Sequence, residues 1–210
     1  MQRDLAIVGG GGHAKVVIDI ARRLGVWRIA AVLDDAPGAA GKMVLGCPIL
    51  GGTERLRDFA RDGAAFVVAI GTNSVRQQLQ ERAAGLGLRA VALIHPAAVV
   101  AESAVVAPGA VVMAGAIINA DARIGEGAIV NTGALIEHDC RLGDFCHVAP
   151  GAALCGAVTV GARSLVGVGA SVIPGISIGD DCVVAAGAAV VQSVVSGSRV
   201  AGVPARPLCQ

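Results

Sequence analysis

The sequence predicts a chain in two parts: a small α/β domain in which short strands alternate with helices, and behind it a parallel β-helix built from hexapeptide repeats. Three observations predict it. Strand-like and helix-like segments alternate from Leu5 to about residue 93; from Ile94 an aliphatic residue recurs at every sixth position; and four places after each of these comes a second, mostly small, residue.

In the first part, Leu5-Ala6-Ile7-Val8 reads as a short apolar strand and Gly9 to Gly12 as a turn. Ala14 to Leu24 reads as a helix with an apolar face at Val17, Ile18, Ala21 and Leu24. Ile29 to Leu33 forms a second strand, ending in Asp34-Asp35 and a Pro37-Gly38 turn. Thr53 is expected to cap a helix running through Ala60, followed by a strand from Ala65 to Ile70, a Gly71-Thr72-Asn73 turn and a helix from Ser74 to Ala84. Such alternation argues for a small parallel sheet that binds ligands at the carboxyl ends of its strands.

The second part has a different grammar. The aliphatic series runs without a break from Ile94 and Val100 through Ile136 and Val148 to Val190, seventeen positions in all. In the column four places later Ala fills ten of the seventeen positions, and Cys140, Cys146, Cys182, Ser164, Val158, Ile176 and Val194 fill the rest. One bulky and one small inward column describe a narrow prism. One place before the small column stand Gly109, Gly115, Gly127, Gly133, Gly151, Gly169, Gly175 and Gly187, with Asp121, Asp139 and Asp181. These residue types tolerate φ > 0, so they mark the corners between flat strands. The pairs Ile124-Gly125, Leu142-Gly143, Val160-Gly161 and Ile178-Gly179 recur every eighteen residues, which makes each coil a triangle. The expected domains are therefore 1–93, 94–195 and a C-terminal tail, 196–210.

Composition excludes several function classes. Seventeen basic and sixteen acidic residues leave a net charge of +1, with no basic field for nucleic acid or acidic membranes. No apolar run reaches the ~18–20 residues of a membrane span and Met1 to Asp4 leads directly into a strand, so the expectation is a cytoplasmic protein. The six Cys residues, at 47, 140, 146, 155, 182 and 209, form no C-x-x-C pair or zinc-site spacing, and Cys140, Cys146 and Cys182 read as packing. Trp27 is the only Trp and Tyr is absent, as suits a narrow interior.

The hexads, followed by Gly202-Val203-Pro204-Ala205-Arg206, resemble the hexapeptide-repeat acyltransferases. Gly9-Gly10-Gly11-Gly12-His13-Ala14-Lys15, Leu33-Asp34-Asp35, Ala69-Ile70-Gly71-Thr72-Asn73 and Asn131 through Cys140 resemble the bacterial nucleotide-sugar acetyltransferases. That group includes N-acetyltransferases of UDP-linked 4-amino-6-deoxy sugars and of GDP-perosamine, with relatives that O-acetylate sialic acid. The resemblance implies a Rossmann-like N-terminal domain that holds the nucleotide sugar, a left-handed β-helix and a homotrimer. It also implies acetyl-CoA laid in the cleft between neighbouring β-helices, in the service of surface-glycan synthesis.

Residue by residue, the resemblance makes His138 the base, supported by Asp139, where several relatives have Glu, within the triplet Glu137-His138-Asp139. Acetyl transfer to an amine requires a proton acceptor and donors for the oxyanion, and the alternative for His138 is a solvated corner. His147, Gly156, Val168, Ala186, Pro204 and Arg206 are the implied acetyl-CoA contacts. Gly9, Gly11, Gly12, His13, Asp34, Asp35, Gly71, Asn73 and Asn131 are the implied substrate contacts, and no metal is expected. A glycine turn between strand and helix suits a phosphate, with Asp34 placed for ribose or base. The same pattern suits an NAD domain, but fewer than a hundred residues precede a β-helix that has no place for hydride transfer. O-acetylation of sialic acid uses the same machinery and stays open, and so does a carbonic-anhydrase-like zinc enzyme drawing on His95, His138 and His147.

Overall fold

The computed structural model describes residues 2–60 and 64–208 and divides into two compact units, Met1–Pro96 and Ala97–Gln210. In the first, β1 (Arg3–Val8), α1 (Gly12–Leu24), β2 (Trp27–Leu33), β3 (Met43–Val44), β4 (Cys47–Gly51), α2 (Leu56–Ala60), β5 (Ala65–Val68), α3 (Asn73–Gly85) and β6 (Arg89–Ala90) follow in order. They build one sheet in the order β3-β4-β2-β1-β5-β6, parallel except for the β3–β4 pair. All four residues of β5 and the last four of β1 are buried, as a sheet covered on both faces requires. Ala6, Val8, Leu33, Phe66 and Val68 pack with Leu56 of α2 and Ala83 of α3. Because β2 and β5 flank β1 on opposite sides, the loops leaving β1 and β5 part from one another, which opens a crevice at the carboxyl ends of the strands.

Three details differ from expectation. Gly12 already belongs to α1. The antiparallel β3–β4 pair occupies a segment, 43–51, to which the sequence reading assigns no element. Thr53 caps nothing: it opens a short 3₁₀ turn, Thr53–Arg55, and its hydroxyl is taken by Asp35.

The second unit is a three-sided coil. Its strands are short, each of two residues except the last, Arg199–Ala201. Those beginning at Val99, Ile117, Leu135, Ala153, Ser171 and Ala189 stack in parallel as a first face. Those at Val105, Arg123, Arg141, Thr159 and Ser177 form a second, and those at Val111, Ile129, His147, Leu165, Val183 and Arg199 a third. Both inward columns are buried from Ala110 and Val112 upward, as the sequence pattern requires. Outward on the third face, Val111 and Ile129 are fully buried as well.

Edges, more than faces, carry the construction. Every predicted corner residue from Gly109 to Gly187 has positive φ, and so do Phe145, Ala157 and Arg163, whose side chains give no such signal. From Gly127 to Gly187 the amide of the left-handed residue is bonded to a carbonyl of the coil below: Gly133 N–H to Ala114 C=O at 3.1 Å, Asp139 to Ala120 at 3.0 Å, Phe145 to Glu126 at 2.7 Å. Glycine serves a second purpose on the edge between the second and third faces. A Cβ on Gly143 would lie 2.7 Å from the Ala162 nitrogen of the next coil, and one on Gly125 2.7 Å from the Asp144 nitrogen. Backbone cannot give way there. The five described Cys residues are free thiols, and Cys209 lies outside the described residues.

These two kinds of glycine separate by mutation. Gly143→Ala forces neighbouring coils apart and should destabilise by about 2–3 kcal/mol, whereas Gly133→Ala, with φ of 65° and open space around its Cβ, should cost only about 1–2 kcal/mol. Urea denaturation of both variants measures the difference.

Candidate active site

The first unit carries a cavity of about 310 Å³ at the carboxyl ends of its strands, lined by Gly9, Asp34, Asp35, Thr53, Ile70 and Leu79 among others. Gly9, at φ 109°, passes so close to the β5 loop that a Cβ would sit 2.8 Å from the Ala69 oxygen. Gly11 and Gly12 have open space around them, and no side chain caps α1, so the amides of its first turn remain at hand for an anion.

Both expected carboxylates line this cavity, held by internal bonds. Asp34 accepts the Gly10 amide at 2.5 Å on Oδ2 and the Ala36 amide at 2.7 Å on Oδ1. Asp35 accepts the Thr53 amide at 2.6 Å and the Thr53 hydroxyl at 2.9 Å, and that hydroxyl in turn accepts Arg82 Nη1 at 2.8 Å. Their geometry is thereby fixed in advance of any ligand.

Sequence reading missed the residue that shapes the β5–α3 loop. Arg76 is fully buried and donates to the Ile70 and Gly71 carbonyls at 3.0 and 3.1 Å and to Asn73 Oδ1 at 2.8 Å, so Gly71 and Asn73 stand where Arg76 holds them. A charged residue on a helix of otherwise polar sequence gave no reason to place it inside. His13 is pushed down to about 4, first by burial and then by the Arg76 charge. Its Nε2 is buried, with no partner among the described residues.

In the second unit, Glu137, His138, Asp139 and Gly156 share the edge between the first and second faces. His138 leaves the prism just before its left-handed corner, Asp139 at φ 61°. His138 Nδ1 lies 2.9 Å from Asp139 Oδ2. That hydrogen bond, helped by the Asp139 and Glu137 charges and opposed by desolvation, holds the His138 pKa above its ordinary value. With Nδ1–H donated to Asp139, the neutral ring carries its free lone pair on Nε2. This ring lies over Gly156, one coil further on, where a Cβ would come within 2.6 Å of Nε2. Only glycine leaves it room.

Asn131, Val168 and Ala186 stand on a different edge, between the third and first faces, and His147 projects from the third face beside it. Asn131 Oδ1 accepts the Thr132 amide at 2.8 Å, which turns its NH₂ toward His147 Nε2 at 3.0 Å and leaves the His147 proton on Nδ1. Pro204, after a cis peptide, and Arg206 belong to the tail that folds back over the last coil, where the Ala205 amide reaches Ala189 C=O at 2.7 Å and Arg206–Pro207 pairs antiparallel to Arg199–Ala201. Thus the expected site residues of the β-helix fall into two groups on two edges of one prism. Among the described residues, no three His, Cys, Asp or Glu side chains converge as a metal site.

Comparison with known proteins places both units. A model of the PglD N-terminal domain matches residues 4–83, and a model of the hexapeptide repeat of succinyl-transferase matches residues 157–192. A UDP-N-acetylbacillosamine N-acetyltransferase of Bacillus subtilis is 48% identical over 102 residues, 47% of this chain and 46% of the relative, so the match spans about half of that protein. Perosamine N-acetyltransferase from Caulobacter crescentus, solved as a His-to-Asn variant with CoA and GDP-perosamine, is 46% identical over 99% of this chain and 97% of that one, with a TM-score of 0.94. The acetyltransferase domain of PglB from Neisseria gonorrhoeae, solved with acetyl coenzyme A, is 38% identical over 99% and 100%, with a TM-score of 0.92. The coil is the left-handed parallel β-helix of these structures.

Two measurements test the geometry. Gly156→Ala should leave the melting temperature within a few degrees, because an exposed ring can swing aside, yet displace His138 from its seat and lower turnover at least about tenfold. For His13, the unfolded chain binds a proton at pH 6.5 that the native state refuses until about 4. Stability should therefore fall as pH drops through that window, by up to about 3 kcal/mol. Urea midpoints of wild type against His13→Gln should show the fall only in the wild type.

Proposed function

The chain belongs to the hexapeptide-repeat N-acetyltransferases of nucleotide-linked amino sugars, and on that footing we propose that it moves the acetyl group of acetyl-CoA to the amine of a nucleotide-linked 4-amino-4,6-dideoxy sugar. The observation that carries the reading is the His138 ring, oriented by Asp139 and seated over Gly156. Neutral His138 takes the proton from the attacking amine on Nε2, and Asp139 steadies the imidazolium that results. The Gly156 amide donates to the acetyl oxygen as it gains charge. The cavity above β1 and β5 receives the nucleotide, its diphosphate toward the open glycines and the first turn of α1.

Acetyl-CoA lies along the other edge, past Asn131, His147, Val168 and Ala186 toward Pro204 and Arg206. One prism keeps that edge apart from His138, so a complete site draws on two copies, and a closed ring of three gives each copy one such junction. Exposed Val99 and Leu135 on the intervening first face favour burial there. No helix of the described residues is long and apolar enough to cross a membrane, which agrees with a cytoplasmic enzyme that prepares precursors of surface glycans. N-acetylation is favoured over sialic acid O-acetylation because the full-length structural relative acts on an amine.

A thiol-release assay with acetyl-CoA and a panel of UDP- and GDP-linked amino sugars tests the activity; release with none of the amines overturns it. His138→Ala should lower kcat at neutral pH by about 10²–10⁴. Activity should rise with pH as His138 loses its proton. Asp139→Asn replaces the charged acceptor that raises the His138 pKa by a neutral one, so the acid limb should move to lower pH. A limb that stays in place in both variants makes His138 a bystander.

A further inference from the structure

Three separate segments of the first unit meet at the Asp35 carboxylate. Asp35 follows β2, Thr53 opens the 3₁₀ turn after β4, and Arg82 stands in the last turn of α3. A guanidinium only donates, so Arg82 Nη1, 2.8 Å from Thr53 Oγ1, takes a lone pair of that hydroxyl. The single hydroxyl proton goes to Asp35 Oδ2 at 2.9 Å, and the Thr53 amide goes to Oδ1 at 2.6 Å. One residue thus grips both oxygens of the carboxylate. Thr53 is itself only 3% exposed, so bulk water hardly competes for its hydroxyl.

Both grips matter. The last torsion of an Asp side chain is broad and roughly twofold, so a carboxylate bonded at one oxygen still turns, and one bonded at both is held. The neighbouring glycine makes the room. Gly52 has φ of −81°, which any residue adopts, so its backbone does not call for glycine. A Cβ there, however, would stand 2.8 Å from Asp35 Oδ1 and run into Glu54 Oε2. Glycine at 52 keeps open the place that the clamped carboxylate fills.

What the carboxylate receives follows from its chemistry. An ionised carboxylate accepts at about four positions; Thr53 fills two, and Asp35 lines the cavity, so the others can take donors from a ligand there. Phosphate has no donor to offer at neutral pH and repels a carboxylate. Ribose hydroxyls and some base N–H groups are donors, and of the two the ribose adjoins the phosphates. Asp34, the preceding residue, already touches the glycine turn at the Gly10 amide, so Asp35 stands one residue from the expected phosphate position. We propose that Thr53 is a positioning residue: with Gly52 leaving the space, it clamps Asp35 so that the carboxylate accepts a ribose hydroxyl of the bound nucleotide. This deepens the nucleotide reading of the cavity and rests on it.

The test titrates the full-length protein with UDP and GDP by calorimetry, then compares the tighter of the two with its 2′-deoxy and 3′-deoxy analogues. Wild type should prefer the ribonucleotide over at least one analogue by about tenfold or more, the usual worth of a hydrogen bond to a charged group. Thr53→Val keeps the amide and removes the hydroxyl. It should bind the ribonucleotide about tenfold more weakly and the disfavoured analogue as wild type does, so that the preference shrinks to within about twofold. Gly52→Ala, which displaces the carboxylate by bulk, should do the same. Thr53→Ser restores the hydroxyl and should bind as wild type, and so should Glu54→Ala, which removes the other group that a Cβ at 52 would meet. In turnover, Thr53→Val should raise the KM for the nucleotide sugar about tenfold, with kcat and the KM for acetyl-CoA within about twofold.

A merely structural Thr53 would weaken ribose and deoxyribose forms alike. Equal loss for both, or a wild-type preference kept in Thr53→Val, overturns the proposal. Should Thr53→Val fail to fold, Gly52→Ala decides by the same criteria. A wild type that binds both deoxy analogues as tightly as the ribonucleotide overturns the proposal and leaves the nucleotide reading standing. A wild type that binds neither UDP nor GDP sinks that reading, and the clamp with it.

Discussion

The structure of the second unit depends on one backbone constraint: from Gly109 to Gly187 every corner of the coil takes a residue in the left-handed region, and from Gly127 on its amide is bonded down the axis to the carbonyl of the coil below. Stacked strands lie about 4.8 Å apart, and that spacing survives only if the turns climb no faster than the faces. Glycine and Asp meet the constraint cheaply. Phe145, Ala157 and Arg163 meet it at about 1–2 kcal/mol each, and their surroundings offset the strain. Phe145 is 6% exposed, so its ring is covered, and Arg163 makes a two-pronged ion pair with Asp181, the corner residue one coil later. The residue just before such a corner is thrown outward, and this is how His138 comes to stand clear of the prism.

The first unit fixes its cavity by a different means. Charges there are tied to nearby groups: half-buried Asp34 accepts two amides, exposed Asp35 accepts the Thr53 amide and hydroxyl, and buried Arg76 donates to two carbonyls and Asn73. Charges satisfied in this way hold loops still, and a still loop can present bare glycine amides without first being ordered by a ligand. His13 fits the same logic, because a ring kept neutral by burial beside a buried guanidinium adds no second positive charge.

Much of this architecture is legible in the amino-acid pattern. The two inward columns dictate the β-helix, because no other arrangement buries one residue in every three along seventeen unbroken hexads. The triangle follows from glycines at a spacing of eighteen, which mark where one coil's backbone fills the space of the next Cβ. Features that escape such a reading lack a local signature. A left-handed Phe or Arg looks like any other, since the coil imposes its φ. Arg76 looks like a surface residue because its partners are carbonyls of a loop, which carry no sequence identity. Thr53 looks like a cap, but the nearby Asp35 offers its hydroxyl and amide a charged acceptor, and such bonds are roughly twice as strong as neutral ones.

The coil arithmetic also decides how the proposed site must be assembled. With eighteen residues to a turn, two positions share an edge only when they differ by nearly a multiple of eighteen, as His138 and Gly156 do and as Asn131, Val168 and Ala186 nearly do. His138 and Asn131 are seven residues apart, which carries the chain across the whole first face from one edge to the next. No rotamer brings the two groups together within one prism, and no small sequence change would, because sliding the register by one residue turns every inward side chain out. A site that needs His138 and the Asn131–His147 pair at the same acetyl group must therefore take them from different copies, so on this reading catalysis and assembly rest on the same edges.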